Sequence, residues 1–432
     1  MSNIGNQTDE AWERIFNDYN ILSEIESKGY YIISADTIKK YREPRLMAKF
    51  DHSINLPKIF SDNKLAILPT TRGKYIIAHF DAYHEFEQDA GEITSVSLPS
   101  YIQSIDCNNI INETMAINSA AISGILDDFI EDREIRPTVA GRMSSGSFIF
   151  SIDDVSCDAP KTVEVMNSQI EIDAAYEGIE SFAIIEAKRV ISDDFLIRQL
   201  YYPYRTWQDK IAKPVRPIFL VYSNGIFNLY EYAFTENSNY CSLTLVKHKR
   251  YSIEDTTITS DDIQHIIDTT SIMENEPEVP FPQANSFERV INICELVSEN
   301  PLSKDELTEQ YAFDGRQTQY YTDAAIYLGL LKKEKDEDKI IRYSLTEKGK
   351  RVFRLGYKKR QLAICRTILC HRAFNRVFKS HFETGVMPSD KDIVEIMKQC
   401  GLYMINQDST YYRRASTVKG WINWIIGLIN DY

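Results

Sequence analysis

Apolar residues near the start of the chain recur every three or four positions, at Trp12, Ile15, Phe16, Tyr19, Leu22 and Ile25. That spacing predicts a helix, with Asp9 to cap it and Gly29 to stop it. YYIISADTIKKYREPRLMAKFD then predicts a short strand, a short helix and a break at Pro44. Another helix is predicted over 110–132, with Ile111, Met115, Ile122, Ile125, Leu126 and Phe129 as its apolar members. GRMSSGS reads as a polar loop between that helix and the strands predicted at 147–152, 162–173 and 181–188. A helix follows over about 193–209, kinked or divided at Pro203. PIFLVYS and GIFNLYEYAF are then two strands joined by an Asn224-Gly225 hairpin. Strand, strand, helix, strand, strand predicts an α/β domain with a central mixed sheet.

The pattern changes after residue 252. IEDTTITSDD and MENEPEVPFPQANS are acidic, carry prolines in the second stretch and are poor in core residues, which places a boundary near 268–285. Beyond it the chain turns mainly helical and carries two similar passages. LSKDELTEQYAFDGRQTQYYTDAAIYLGLLKKEKDEDKIIRYSLTEKGKRV orders as helix, turn, helix and charged hairpin, the pattern of a winged helix-turn-helix. SDKDIVEIMKQCGLYMINQDSTYYRRASTVKGWINWII again sets Tyr-Tyr before a long apolar stripe, so a second winged-helix-like module is expected. The expected division is a DNA-contacting or structural α+β domain at 1–95 and the α/β domain at 96–267. A linker at 268–285 and two winged-helix-like modules at 286–356 and 357–432 complete it.

A length of 432 residues with 43% apolar and 26% charged residues fits several soluble, core-forming domains. No apolar run reaches the ~18–20 residues that a membrane span needs, and the N-terminus lacks a secretory pattern. A cytoplasmic protein without a membrane partner is expected. The seven cysteines are odd in number, scattered and without a CxxC, which points to reduced thiols rather than zinc or disulfides. Cys370 and His371 are adjacent, but no third partner for a catalytic pair is identified.

A formal net charge of -14 argues against coating nucleic acid by bulk attraction, so local basic surfaces matter more than the sum. KKRQLAICRTILCHRAFNRVFK carries Lys358, Lys359, Arg360, Arg366, Arg372, Arg376 and Lys379 without an acid, which suits clamping of phosphates. Arg316, Gln317 and Gln319 head a recognition-like helix, and Arg413 and Arg414 hold the matching place in the second passage. Arg45 and Lys49 in the first domain, and Arg142, Ser144 and Ser145 in GRMSSGS, offer further DNA contacts. Against each stands a plainer reading: solvated charge, a turn, or packing.

EIDAAYEGIESFAIIEAKR, at 171–189, carries the chemistry. Residues two apart on a strand share a face, so Glu186 projects with Lys188, and Glu171 with Asp173. If Tyr176–Ser181 closes a hairpin, Asp173 meets Glu186 on one side of the sheet. Two carboxylates suit magnesium rather than zinc. A lysine beside them can orient or help deprotonate a water and offset phosphoryl charge, as phosphodiester hydrolysis requires. The plain alternative is a solvated same-face pair worth a few tenths of a kcal/mol.

Asp173, the spacer, Glu186-Ala187-Lys188 and Gln199 on the next helix resemble the PD-(D/E)XK nuclease superfamily, and more narrowly type II restriction endonucleases. The motif's proline is absent, since Ile172 precedes Asp173, and Glu171 competes for the first acid's place. The resemblance covers about 110–235. It implies an α/β nuclease core at 96–267 in which Asp173 and Glu186 hold Mg2+, Lys188 assists the attacking water and Gln199 supports the site. Glu113 is a further acid that would join the metal network from the preceding helix. It also implies double-stranded DNA as substrate, a homodimer, and pairing with a cognate DNA methyltransferase. Alternatives are a modification-dependent or repair endonuclease, and an inactive winged-helix regulator.

Overall fold

In the computed structural model, which describes residues 7–87, 91–311 and 313–430, the N-terminal helix is two: α1 (Gln7–Asp18) and α2 (Ile21–Lys28). They part where Asn20 takes left-handed backbone, and Gly29 ends the second in the same conformation. The expected 1–95 domain includes residues 1–6 and 88–90, which lie outside the described residues. After α2 come β1 (Tyr31–Ser34), α3 (Ala35–Lys39), α4 (Pro44–Ala48) and α5 (Lys58–Asp62). β2 (Ala66–Thr71) and β3 (Lys74–Ala78) then complete a sheet in the order β1-β3-β2. Pro44 opens α4 rather than breaking the chain, because the first helical turn needs no proline N–H. Trp12, Ile15, Phe16, Phe60 and Ile77 share the core here.

The chain forms two units, one of Met1–Glu92, Glu113–Tyr222 and Phe227–Arg250, the other of Ile93–Asn112, Ser223–Ile226 and Tyr251–Tyr432. The first continues with β4 (Tyr83–Glu85), while β5 (Ile93–Ser95) belongs to the second. The predicted helix at 110–132 is α6 (Glu113–Ile122) and α7 (Ile125–Ile130), divided at Gly124 with its positive φ. Next are β6 (Arg136–Ser144), β7 (Ser147–Asp154), β8 (Cys157–Met166), β9 (Gln169–Glu177) and β10 (Phe182–Lys188). They are followed by β11 (Asp194–Leu196), α8 (Arg198–Gln208), β12 (Val215–Ser223), β13 (Ile226–Phe234) and β14 (Leu243–Ser252). The central sheet runs β14-β13-β12-β10-β9-β6, with β10 antiparallel to β9 and parallel to β12. This is a mixed α/β core.

Three local expectations change. The single strand at 162–173 is two, because Asn167 adopts positive φ and turns the chain from β8 into β9. GRMSSGS is not a loop throughout: Arg142 and Ser144 end β6, leaving Ser145 and Gly146 as the turn. Pro203 neither divides nor ends α8, and β11 takes the first part of the segment expected to be helical.

Asp132 fixes the turn between β9 and β10 by accepting from Glu180 N, Ser181 N and Ser181 Oγ. A methyl on Gly178 would collide with that carboxylate. Gly178→Ala is therefore expected to cost about 1–3 kcal/mol through overpacking. A lower denaturant midpoint with unchanged slope is the corresponding result.

The second unit is mainly helical. It contains α9 (Ser260–Thr269), α10 (Phe287–Leu296), β15 (Leu302–Ser303), α11 (Lys304–Gln310), α12 (Gly315–Tyr327), β16 (Leu331–Lys335) and β17 (Ile341–Leu345). α13 (Glu347–Phe353), α14 (Tyr357–Leu369), α15 (Arg372–Thr384), α16 (Asp390–Lys398) and α17 (Asp408–Ile426) follow. The three strands order as β15-β17-β16. No strand occurs among the described residues after β17, so the module expected at 357–432 lacks the hairpin of a winged helix. Its apolar stripe instead buries α17 through Val418, Trp421, Ile422 and Ile425. The expected linker at 268–285 is packed: Phe281 stacks on Phe374, and Ala284 O accepts from Trp421 Nε1 at 2.7 Å. Among the described residues no helix is long and apolar enough to cross a membrane.

Candidate active site

β10 begins with Phe182, Ala183, Ile184 and Ile185, all buried. Flanked by β9 and β12, it is a rigid central strand whose C-terminal end carries Glu186 and Lys188. Its ladder with β9 runs from Phe182↔Glu177 to Ile185↔Ala174. One step further, Glu186 would face Asp173, but no further rung forms. Asp173 Oδ2 instead accepts from Ala187 N at 2.9 Å, so the two strands fork at the acids.

Lys188 Nζ donates to Glu186 Oε1 at 2.5 Å, and Gln199 Nε2 reaches the same oxygen at 2.7 Å from the first turn of α8. Asp173, Glu186, Lys188 and Gln199 line one cleft of about 520 Å³. Glu113, the first residue of α6, lines it too, as do Arg45, Lys49, Arg72, Arg142 and Arg198. Acids thus sit among the cations of the same cleft. Glu171 is half-exposed and pairs with Arg142 at 3.3 Å, whereas Asp173 is turned toward the Lys188 side. Asp173 is therefore the better placed of the two competing acids.

Burial pushes the Glu186 carboxyl up to about 7, with Asp173 and Asp51 adding to the rise and Lys188 opposing it. Burial also raises Asp173 and Glu113 above the usual carboxylate range, against the pull of Lys188. For Lys188, burial works against the charge, yet Glu186, Asp51, Glu113 and Asp173 together raise it, so the amine stays protonated.

Hard oxygen donors without thiol or imidazole suit magnesium. Two features would fit a cation at this place: the raised carboxylates, and Gln199 Oε1, buried without a hydrogen-bond partner among the described residues. Among those residues no group of three or more His, Cys, Asp or Glu is placed to hold a metal ion. A cation here would rest on Asp173 and Glu186 and take its remaining oxygens from water and phosphate, as Mg2+ commonly does.

The sequence reading missed Asp51. Its carboxylate lies 3.9 Å from Lys188 and 3.5 Å from Lys49, and Oδ1 is buried without a partner among the described residues. No local spacing links FDHS to EAK, since only the tertiary fold brings them together. Arg198, at the head of α8, was likewise missed.

Other expected contacts fare unevenly. Arg45 and Lys49 are exposed beside the cleft. Ser145 is buried, and its Oγ donates to Gly146 O. Ser144 Oγ donates to Asn167 Oδ1. In the second unit Arg316 and Arg413 are exposed. Gln317 accepts from Arg289, Gln319 donates to Asp323, and Arg414 is half-buried. The acid-free basic run is partly spent internally: Arg360 is buried, Lys358 pairs with Asp262 at 2.7 Å, and Arg372 donates to backbone carbonyls. Cys370 and His371 do not pair, because His371 bonds Glu276 and Cys370 donates to Thr367 O.

Three family models match the chain, each described as a domain of unknown function: DUF6996 over 9–77, DUF6997 over 78–252 and DUF7226 over 289–430. No curated protein and no solved structure matches it. The cleft draws on the first two of these regions.

Proposed function

We propose that this chain is a magnesium-dependent endodeoxyribonuclease of the type II restriction kind, with a PD-(D/E)XK-like core. One observation carries the reading: the β9–β10 fork sets Asp173 beside the Glu186–Lys188 pair, with Gln199 on the same carboxylate. Hydrolysis of a phosphodiester needs a positioned water and cover for charge gathering on the phosphoryl oxygens. Lys188, held protonated, supplies that cover and orients the water. Ala187 N fixes Asp173, and Gln199 fixes Glu186, so the acids need little rearrangement. Mg2+ bound by Asp173 and Glu186 would lower the pKa of a water and neutralise phosphoryl charge. Arg45, Lys49, Arg72 and Arg142 flank the cleft where a DNA backbone would pass.

Helix α10, strand β15, helices α11 and α12 and the β16–β17 hairpin follow the order of a winged helix-turn-helix. Asp314 caps α12 and leaves Arg316 exposed on its first turn, where such a helix meets a groove. One cleft per chain cuts one strand, so double-strand cleavage calls for a homodimer. Self-protection calls for a partner methyltransferase.

The test is digestion of a complex, unmethylated DNA mixture by purified protein with Mg2+, followed by sequencing of fragment ends. Discrete ends at one sequence support the reading, and intact DNA sinks it. Cutting confined to methylated or damaged DNA would move it to a modification-dependent or repair nuclease. Mg2+ affinity carries its own signature. Glu186 must ionise to hold a cation, so affinity should fall about tenfold per pH unit below 7 and level off above, by calorimetry. In the metal-free protein the sign reverses for stability: this group's contribution is full below 4.5 and lost as pH rises through about 7.

A further inference from the structure

We propose that Asp51 is a positioning residue for Lys188, holding its ammonium over the cleft when Glu186 commits its charge to a cation. Among the described residues two carboxylates lie within ion-pair reach of Lys188 Nζ: Glu186 at 2.5 Å and Asp51 at 3.9 Å. Glu186 is assigned to the cation in the hydrolytic reading, on which this inference rests for its catalytic part. A carboxylate that shares its charge with a divalent ion loses much of its hold on a neighbouring lysine. Asp51, the other carboxylate within that reach among the described residues, then keeps that lysine in place.

The loop carrying Asp51 is built rigidly. Asp51 O accepts from Leu196 N at 2.9 Å, and Phe50 O accepts from Tyr83 Oη at 3.0 Å. His52 Nδ1 lies 2.6 Å from Asp194 O, while Ser53 N donates to the Asp194 carboxylate at 3.1 Å. The loop is thereby stapled to β11, immediately before the helix that presents Gln199. β11 therefore braces Asp51 and leads directly into the helix whose Gln199 lines the cleft. Burying Asp51 Oδ1 without a partner is unfavourable. Such a cost is typical of a side chain kept for its place in a site rather than for stability. Lys49, 3.5 Å from the same carboxylate, is the second cation that Asp51 steadies.

The test compares full-length wild type with Asp51→Asn and Asp51→Glu. The first readout is independent of catalysis: the rate at which an amine-reactive ester labels Lys188, measured by peptide mass spectrometry with Mg2+ present and normalised to exposed lysines. Asp51→Asn should raise it at least threefold, and Asp51→Glu should bring it back toward wild type. The second is single-turnover cleavage of duplex DNA, where Asp51→Asn should lower the maximal rate about 10- to 100-fold while half-saturation moves less than twofold. Asp51→Glu should recover most of the rate. Unchanged labelling in Asp51→Asn overturns the proposal whatever the activity. Faster labelling of Asp51→Asn, where the wild type itself proves inert on DNA, supports the placement of Lys188 and sinks the nuclease reading instead. Unchanged cleavage by Asp51→Asn in an active enzyme also overturns it. If the asparagine variant does not fold, Asp51→Ser removes the same charge with less bulk and is read in the same way.

Discussion

On the nuclease reading proposed above, Lys188→Ala should leave the protein bound to duplex DNA yet cutting it about a hundred- to a thousandfold more slowly, the scale of losing a dedicated charge-stabilising group. The ammonium is the cation that the fold itself places among Asp51, Glu113, Asp173 and Glu186. Its removal leaves those acids crowded around whatever metal arrives and takes away the ammonium paired with Glu186. DNA affinity should change little, because Arg45, Arg72 and Arg142 at the cleft and Arg316 in the second unit are untouched. Single-turnover cleavage and electrophoretic binding, measured at one salt concentration, separate the two effects. A variant that cuts at the wild-type rate would remove Lys188 from the chemistry. One that loses binding as well would make it a DNA anchor.

Glu276→Ala is expected to destabilise the second unit by about 3–5 kcal/mol, the range for stripping one member from a buried polar pair. Glu276 and His371 are each only 2% exposed, and their side chains meet at 2.8 Å. Tyr327 Oη donates to the same carboxylate at 2.6 Å and Arg372 N at 2.8 Å. Alanine would leave those groups unpaired in the interior. Burial opposes ionisation of Glu276, but the bonds from His371 and Tyr327 outweigh it and hold the carboxyl below its ordinary range. A depressed folded pKa contributes stability that is present above 4.5 and lost as pH falls through the folded value. The gap between wild type and variant in urea unfolding should therefore narrow in acid. A wild-type-like midpoint at pH 7 would show that the network carries no net stability.

Glu276 also shows where composition misleads. MENEPEVPFPQANS is acidic and rich in proline, and a solvated tether is the ordinary reading of such a stretch. Its few large residues nevertheless find partners: Phe281 enters a stack with Phe374, and the acid becomes a buried hub. The reverse holds for the acid-free run after Lys358. A cluster of positive charge looks ready for phosphates, yet Arg360 is buried and Lys358 is paired with Asp262. Charge runs state how many ions must be accommodated, and the fold decides which of them face water.

The chain by itself determined what depends on near neighbours. Alternation in FAIIEAK places Glu186 and Lys188 on one face of a buried strand, and Asn224-Gly225 turns the next pair of strands with positive φ at both residues. Periods of three and four gave a mainly helical C-terminal region. Tertiary structure alone decided that the β9–β10 ladder stops one rung short, so that Asp173 bonds Ala187 N and stands beside Glu186. It also carried Asp51 to Lys188 and left the last four helices without a hairpin among the described residues. The physical reason is range. Spacing along a strand or helix is set by local backbone geometry, whereas the meeting of distant side chains follows from packing that no short window of sequence records.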